Sequence, residues 1–421
     1  MDVGSGAVTM NTTFHHQNIG SFTTSGTVSI TTPDFNRTFT GAVSCGSITI
    51  SGTNIRLYFQ GNVVCSGSLS TSSSSNWVYL GIGLTHSFTN ISFFQPSCEY
   101  LDVGTSVLNI SGSLTLPDAV NFTAASGTVN FNGRGAQTIP SSSSSAGYTF
   151  NNLTLSNGGI KTLGKNINVN GTLSLQGTAS LVLGGNTLTY GGSSTLEYAG
   201  SSTQTSTDAE LPALGGPHSL TINNSHGVIL HAPRTITGVF TLTLGSITTS
   251  ATNLLTFTEA ATVDIGGGVD GFSFVDGPMA YVFTTTGLKF EKNYSIGKGT
   301  IWRPLRLTLY QTDATSSTYT ADMFNTVPVA NTLPVTLAWV SGLRYYTISE
   351  NGSGSVFTDG YLQILWCPDY LVTDFTNLRI AQGPAAGSGS WADLGGTGSF
   401  GATTISGNVT STLSSFKFSR I

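Results

Sequence analysis

Short apolar strands and polar turns alternate along the middle of the chain. Between about residues 105 and 260 the sequence repeats phrases such as GTVNFNG, NNLTLSNGG, GTLSLQG and STLEYAG. Apolar and polar positions alternate with a period of two in each phrase, which predicts β-strands, and the closing Gly, Asn or Ser favours a turn. The leucines at four strand centres lie only seven or eight residues apart, which is too short for helices. These are Leu173, Leu181, Leu188 and Leu196.

This spacing predicts a β-solenoid. Three strands with their turns would form one coil of roughly 22 to 24 residues. A single coil cannot bury its inward side chains, so successive coils stack and share a continuous core. We therefore expect parallel, stacked coils over residues 120–265, with the leucines of the repeat pointing inward. These are Leu173, Leu175, Leu181, Leu183, Leu188 and Leu196.

The flanking segments differ from this repeat. Residues 1–104 share its composition but have a looser strand spacing, which predicts an N-terminal irregular β region or cap before the solenoid of residues 105–268. Residues 269–421 contain longer alternating segments interrupted by prolines, which predicts an antiparallel domain. The predicted fold class is therefore all-β, with a parallel β-helix-like solenoid in the central part and a C-terminal antiparallel β-sandwich.

The composition is unusually poor in charge. Only 8% of the residues are charged, and the net charge of −5 is spread thinly without a basic stripe, so nucleic acid is not an expected partner. A repeated outward charge would face a like charge about 4.8 Å away on the next coil, whereas Ser, Thr and Asn can form hydrogen-bonded ladders. The low charge is consistent with stacked coils.

The sequence also bears on localisation. No apolar run approaches the roughly 20 residues of a membrane-spanning helix, so no membrane span is expected. The opening MDVGSGAVTM lacks the features of a signal peptide, which leaves a cytosolic chain or a processed, exported one. Because Ser, Thr and Gly replace charge, we expect the second, with an extracellular or cell-surface location.

Several stretches between about residues 120 and 421 carry a resemblance. GTVNFNGRGAQTIP, FNNLTLSNGGIKTLGKNINVNGTLSL, FVDGPMAYVF and YSIGKGTIWRPLRLTL resemble large, repetitive, exported β-solenoid proteins of Bacteroidetes and their relatives. The resemblance implies a secreted or cell-surface protein, frequently exported by the type IX route with a C-terminal sorting domain. The chain departs from that pattern in STLSSFKFSRI, where no sorting domain is recognisable.

Two acidic groups are candidates for chemistry. The stretch VDIGGGVDGFSFVDG places Asp264, Asp270 and Asp276 six residues apart and resembles half of a calcium-binding nonapeptide, so calcium is the one cofactor considered. Turn-forming aspartates are the alternative, because such nonapeptides act in tandem. Asp208 and Glu210 flank a single residue, but we interpret them as a solvated turn rather than the carboxylate pair of a glycosidase. With no G-x-S-x-G motif either, no enzymatic activity and no catalytic residue is expected.

Two cysteines are candidates for a disulfide. Cys45 and Cys65 occur in the similar contexts VSCGS and VVCSGS, twenty residues apart. They would stack on neighbouring coils if a coil takes about twenty residues. A disulfide and two small buried thiols both remain open at this point.

The predicted function is that of an extracellular structural or adhesive protein. The nearly uncharged stretch GSFTTSGTVSITTPDF predicts an N-terminal strand edge that pairs with another copy of the chain, giving a homo-oligomer, filament, sheath or surface layer. Surface glycans are the other expected partner. The alternatives are a carbohydrate-binding or carbohydrate-active β-helix protein, with large C-terminal aromatics such as Trp302, Trp339 and Trp391 as a sugar platform or as core, and, more remotely, an ice-binding protein.

Overall fold

The computed structural model describes most of the chain. The described residues are 4–11, 16–93, 99–116, 121–140, 147–263, 273–286, 289–311, 316–326, 332–352, 357–364, 377–383, 389–399, 402–404 and 415–420. They contain strands and no helix, so no helix among them is long and apolar enough to cross a membrane. The prediction of an all-β fold is confirmed: the chain forms a parallel β-solenoid of about 12 turns, with additional antiparallel sheets at the C-terminus consistent with a sandwich-like domain.

The chain divides into two compact units. One comprises Met1–Ser202 with Asp208–His218, and the other comprises Thr203–Thr207 with Ser219–Ile421. The strands of the first unit are β1 (Val8–Met10), β2 (His16–Ile19), β3 (Phe22–Thr23), β4 (Thr27–Ile30), β5 (Asn36–Phe39), β6 (Val43–Cys45), β7 (Ser47–Ile50), β8 (Arg56–Phe59), β9 (Val63–Cys65), β10 (Ser68–Thr71), β11 (Trp77–Tyr79), β12 (Thr85–Phe88), β13 (Asn90–Ser92), β14 (Tyr100–Asp102), β15 (Val107–Ile110), β16 (Leu114–Thr115), β17 (Asn121–Thr123), β18 (Thr128–Phe131), β19 (Gln137–Ile139), β20 (Tyr148–Phe150), β21 (Asn152–Leu155), β22 (Ile160–Leu163), β23 (Ile167–Val169), β24 (Thr172–Gly177), β25 (Ser180–Val182), β26 (Leu188–Tyr190) and β27 (Thr195–Gly200).

Successive strands of the first unit enter three sheets in turn. The first sheet has the order β1-β4-β7-β10-β13-β16, the second sheet β2-β5-β8-β11-β14-β17, and the third sheet runs from β3 through every third strand to β27. Strands β19, β22, β25 and β20, β23, β26 form two smaller sheets. The register repeats after 19 residues between Tyr148 and Ile167 and after 24 residues between Thr128 and Asn152. Each coil therefore contains three strands, as the spacing of the leucines predicted.

Inward side chains stack into apolar columns. A column on the first sheet joins residues of successive coils by register, and the exposed fraction of each is 0%. These are Val28, Ile48, Leu69, Ile91 and Leu114. Full burial of one such side chain contributes about 1.5–3 kcal/mol, and in a coil this is gained only when the next coil covers it.

The predicted inward leucines follow this pattern with two exceptions. Leu173, Leu175, Leu181 and Leu196 are buried, with exposed fractions from 0% to 6%. Leu183 and Leu188, in contrast, are half-buried. The reason is that β25 and β26 are the last strands of their three-stranded sheets, so no further strand of those sheets covers them.

The N-terminal part of the chain is more regular than its sequence suggested. Residues 1–104 contain β1–β14, which follow the same three-sheet order as the later coils. The loose spacing arises at one corner, where Asp34, Asn54 and Ser75 adopt positive φ angles of 62°, 56° and 64° on successive coils. Asn, Asp and Ser tolerate or replace the left-handed turn that Gly provides elsewhere, so the turn is less visible in the sequence.

The segment that the sequence suggested as a free strand edge lies partly inside a sheet. Strand β4 pairs in parallel with β1 on one side and with β7 on the other. Thr27 and Ser29 therefore lie on a strand that is already paired on both sides, and the prediction of an edge at these residues is wrong. The expected ladders of uncharged polar side chains do occur, because Asn130 Nδ2 donates to Asn109 Oδ1 at 2.9 Å and Ser156 Oγ donates to Asn130 Oδ1 at 2.8 Å.

The second unit contains both parallel coils and antiparallel strands. Its strands are β28 (Gln204–Thr205), β29 (Ser219–Asn223), β30 (Val228–Ile229), β31 (Arg234–Ile236), β32 (Val239–Leu244), β33 (Ile247–Thr248), β34 (Leu255–Phe257), β35 (Thr262–Val263), β36 (Val275–Asp276), β37 (Met279–Phe283), β38 (Lys289–Tyr294), β39 (Ile296–Lys298), β40 (Ile301–Trp302), β41 (Leu305–Gln311), β42 (Ser317–Phe324), β43 (Trp339–Val340), β44 (Tyr345–Gly352), β45 (Phe357–Ile364), β46 (Leu378–Gln382), β47 (Ala392–Asp393), β48 (Thr397–Ser399), β49 (Ala402–Thr404) and β50 (Ser415–Arg420).

One sheet of the second unit joins the two kinds of structure. Strands β31, β34 and β37 pair in parallel as coils do, and β37 then pairs antiparallel with β42. The sheet continues through β44, β50 and β46 to β47. A five-stranded antiparallel sheet, β38-β41-β45-β49-β48, completes the C-terminal part. The coils and the antiparallel strands thus share backbone hydrogen bonds within one sheet.

Candidate functional site

The second sheet of the first unit carries large aromatic side chains on its outer face. Its strands β8, β11 and β14 have the sequences RLYF, WVY and YLD, in which every second residue points inward. The inward residues Leu57, Val78 and Leu101 are fully buried. The same alternation directs Arg, Tyr and Trp side chains outward, where they are half-buried.

The register aligns these outward side chains in two columns. Arg56, Trp77 and Tyr100 form one column, and Tyr58, Tyr79 and Asp102 form the other. We call these six residues the aromatic stripe. Because successive coils are related by parallel, in-register pairing, neighbours in a column are separated by about one strand spacing, roughly 4.8 Å. Side chains from three separate segments of the sequence therefore form one continuous surface.

The rings of the stripe stack on each other. The centroids of Tyr58 and Tyr79 are 4.6 Å apart with an interplanar angle of 4°, and those of Tyr79 and Tyr100 are 5.6 Å apart at 46°. The guanidinium of Arg56 lies 4.4 Å from the centroid of the Trp77 ring. These contacts hold the rings in place, since aromatic pairs and cation–π pairs of this geometry are each favourable by about 0.5–1.5 kcal/mol.

The polar edge of the stripe is also ordered. Burial raises the pKa of Tyr79, and the neighbouring hydroxyls of Tyr58 and Tyr100 raise it further, so the Tyr79 hydroxyl stays protonated at neutral pH. Tyr100 Oη lies 3.2 Å from Thr123 Oγ1, which donates to Asp102 Oδ1 at 2.9 Å. The stripe thus combines apolar rings with fixed donors and acceptors, and it carries one positive and one negative side chain.

A groove runs beside the stripe. It has a volume of about 340 Å³ and is lined by Tyr58, Phe59, Gln60, Tyr79, Gly81, Ile82 and Leu84. Its outer wall is the turn at Gly81, Ile82 and Gly83, where both glycines have positive φ angles and the Ile82 side chain is 81% exposed. A groove of this size, with apolar walls and a few polar groups, matches the smaller ligand sites of proteins.

One ring face remains open at the end of the stack. The column before Tyr58 continues with Thr38 on β5, a small side chain. The face of Tyr58 that points toward β5 therefore has only a small neighbour in register, whereas its other face is covered by Tyr79. This face and the groove together can receive a flat, partly apolar ligand with polar edges.

The sequence contained a signal for this site. Arg56, Trp77 and Tyr100 are separated by 21 and 23 residues, the length of a coil, within RLYFQ, NWVYL and EYLD. The changing coil length hides the alignment until the register is known. The C-terminal aromatics do not form an equivalent surface: Trp391 is 3% exposed, Trp302 is half-buried, and Trp339 is 40% exposed.

The acidic residues considered as catalytic do not form a pair. Asp208 is exposed, whereas Glu210 is buried, with an exposed fraction of 2%. Tyr198 Oη donates to Glu210 Oε1 at 2.9 Å, and Tyr190 Oη donates to the Glu210 carbonyl at 2.5 Å. The interpretation of a solvated turn is therefore wrong for Glu210, whose side chain is part of the interior.

A serine and a histidine of the second unit are in contact but have the wrong proton arrangement for catalysis. Ser206 Oγ lies 2.8 Å from His231 Nδ1, and Arg234 Nη2 lies 2.8 Å from His231 Nε2. A guanidinium can only donate, so Nε2 accepts and Nδ1 carries the proton that it donates to Ser206. His231 cannot then take the proton of Ser206, as the base of a catalytic triad does.

The calcium prediction is only partly covered by the structure. Asp264 and Asp270 lie outside the described residues. Asp276, on β36, forms an ion pair of 3.1 Å with Lys298 Nζ and accepts a hydrogen bond from the Gly299 amide at 3.3 Å. Among the described residues no cluster of three metal-ligating side chains occurs. Calcium binding by the three aspartates stays a prediction.

The two cysteines lie together on neighbouring coils, as predicted. Cys45 on β6 is paired in register with Cys65 on β9, and each is 4% exposed. Both are free thiols in the structure.

Comparisons with protein-family models, with curated proteins and with solved structures give no match to this chain.

Proposed function

We propose that the protein is an extracellular adhesive protein that binds neutral glycans on the aromatic stripe. The observation that carries this proposal is the in-register alignment of Tyr58, Tyr79 and Trp77 on the outer face of one sheet, beside a groove of about 340 Å³. A pyranose ring has an apolar C–H face and a rim of hydroxyls. The C–H face would pack on the open face of Tyr58, and the hydroxyls would bond to Gln60 and the tyrosine hydroxyls.

The charges favour a neutral ligand. The stripe contains Arg56 and Asp102, whose charges offset each other, and Arg56 is already stacked on Trp77. An acidic or basic polysaccharide would therefore gain little net attraction. Binding to glycans outside the cell also agrees with the low charge of the chain and with its resemblance to exported, repetitive surface proteins.

The repeated architecture supports an adhesive rather than a catalytic role. A solenoid holds its outer side chains at a fixed spacing on stacked strands, so a binding surface can extend over several coils with little loss of conformational freedom on binding. The protein would then attach a cell to a polysaccharide, or connect surface layers, without changing the ligand.

The test is binding of the full chain to immobilised polysaccharides by surface plasmon resonance. The panel contains a β-glucan, a galactan and a mannan as neutral ligands and alginate as an acidic one. We expect Tyr58→Ala and Tyr79→Ala each to raise the Kd for a bound neutral glycan by about two- to tenfold, the equivalent of one aromatic contact. Val64→Ala is the matched control, because Val64 points outward from the third sheet and is 54% exposed.

The proposal is wrong if no neutral glycan binds, or if one binds equally well to both tyrosine variants and the control. Circular dichroism of each variant shows whether the coils are intact.

A further inference from the structure

The thiols of Cys45 and Cys65 are arranged as a pair, and the proposed glycan site does not involve them. The two residues are register partners on the parallel strands β6 and β9. Both strands have the burial pattern buried, exposed, buried, and the cysteines occupy buried positions. Both side chains therefore point into the same column of the core, one directly above the other.

The geometry of parallel strands suits a disulfide at this position. Neighbouring strands are about 4.8 Å apart, within the range of about 4.4–6.8 Å between Cα atoms that disulfides span. The two sulfurs are already in hydrogen-bond contact. The adjacent register partners, Val43 and Val63, are apolar and fully or almost fully buried, so the thiols have an apolar setting in which a disulfide replaces two weak donors.

We propose that Cys45 and Cys65 are oxidised to a disulfide that links two successive coils. The closed loop spans 20 residues and contains β7 and β8. Strand β8 carries Arg56 and Tyr58, the first residues of the aromatic stripe. The disulfide would therefore fix the coil on which the stripe begins.

The oxidation needs a disulfide donor, such as glutathione disulfide or a thiol–disulfide oxidoreductase. The Cys45 thiolate attacks one sulfur of the donor, forms a mixed disulfide and releases the first donor thiol. Cys65 then loses its proton to solvent, attacks the Cys45 sulfur and releases the second donor thiol. Two electrons pass to the donor, which is reduced to two thiols. Both sulfurs are buried in the folded chain, so this exchange takes place while the coils assemble.

The hydrogen bond between the thiols supports this order of attack. The bond from the Cys65 thiol lowers the pKa of Cys45, although burial acts in the opposite direction. The same bond raises the pKa of Cys65, and burial and the neighbouring charge raise it further. Cys45 is therefore the first thiol to ionise, and a thiolate is the nucleophile in disulfide exchange.

The test is peptide mapping of the full chain produced in an oxidising compartment. The chain is denatured with excess iodoacetamide, without reductant, and then digested. We expect a peptide pair joined through Cys45 and Cys65, with a mass lower by two hydrogens than the two free peptides, which separates on reduction. Alkylation of both cysteines before reduction, or a link from either to Cys98 or Cys367, would overturn the proposal.

A second measurement separates the disulfide from the packing of the two side chains. In a Cys98→Ser/Cys367→Ser background, which removes other thiols, reductant should lower the midpoint of thermal unfolding by several degrees. The same background with Cys45→Ser and Cys65→Ser should show no response to reductant. An equal response in both proteins, or no response in either, would show that no such disulfide stabilises the coils.

Discussion

The carboxyl group of Glu99 makes the stability of the first unit depend on pH. Glu99 lies directly before β14 and is fully buried. Its Oε1 accepts a hydrogen bond from Thr71 Oγ1 at 2.8 Å, whereas Oε2 is buried with no hydrogen-bond partner. Burial raises the pKa of Glu99 to about 7, although the bond from Thr71 opposes this. The folded protein therefore holds a proton on Glu99 at a pH where the unfolded chain has released it.

The sign and size of the effect follow from this difference. Because the pKa in the folded state lies above the ordinary value of 4.5, the related stability is fully present below pH 4.5 and is lost as the pH rises through 7. The interval from 4.5 to about 7, at about 1.4 kcal/mol per pH unit, amounts to about 3 kcal/mol. Glu99→Gln keeps the shape of the side chain and cannot ionise.

Urea titrations of the wild type and Glu99→Gln, followed by circular dichroism between pH 4 and pH 8.5, measure this difference. We expect the free energy of unfolding of Glu99→Gln, relative to the wild type, to rise by about 3 kcal/mol over this range, since only the wild type carries the buried charge at high pH. Other titrating groups act on both proteins and cancel. A relative stability that does not change with pH would refute the reasoning.

Three further predictions concern other parts of the chain. Burial lowers the pKa of His86 to about 4, so the stability related to it is present above pH 6.5 and lost as the pH falls through 4; His86→Gln should remove this acid-induced loss in urea titrations at pH 4 and pH 7. A Cβ atom at Gly46 would collide with the carbonyl oxygen of Ser25 on the preceding coil, so Gly46→Ala should destabilise the protein by about 1–3 kcal/mol, whereas Gly20→Ala, with open space around it, should be nearly neutral in the same thermal melts. Self-association, expected from the sequence, should appear as a sedimentation coefficient that rises with concentration, and a monomer at every concentration would contradict it.

Much of the fold could be predicted from the sequence, because strand periodicity and coil length depend on local patterns. The leucine spacing gave three strands per coil, and the similar contexts of Cys45 and Cys65 placed them in one column. The turns at Asp34 and Asn54 were missed because a positive φ at these residues has no sequence signature as clear as that of Gly. The N-terminal coils therefore looked irregular.

The candidate site was harder to predict for a different reason. A surface on a solenoid is built from residues one coil apart, and the coil length of this chain varies between 19 and 24 residues. Neighbours such as Trp77 and Tyr100 can be paired only when the register is known. Buried charged residues were also hidden, since neither Lys161 nor Glu99 stands in a context that differs from that of a surface residue.

The sheet shared by β31, β34, β37 and β42 has a mechanical consequence for an adhesive protein. Where two domains are joined by a linker, tension stretches the linker first and the domains unfold separately. Here β37 is bonded to the coil strand β34 on one edge and to the antiparallel strand β42 on the other. A pulling force on the C-terminal strands would therefore load rows of backbone hydrogen bonds that run directly into the coils. The second unit should rupture as one element, and a truncation that removes β42 would expose the whole edge of β37 to aggregation.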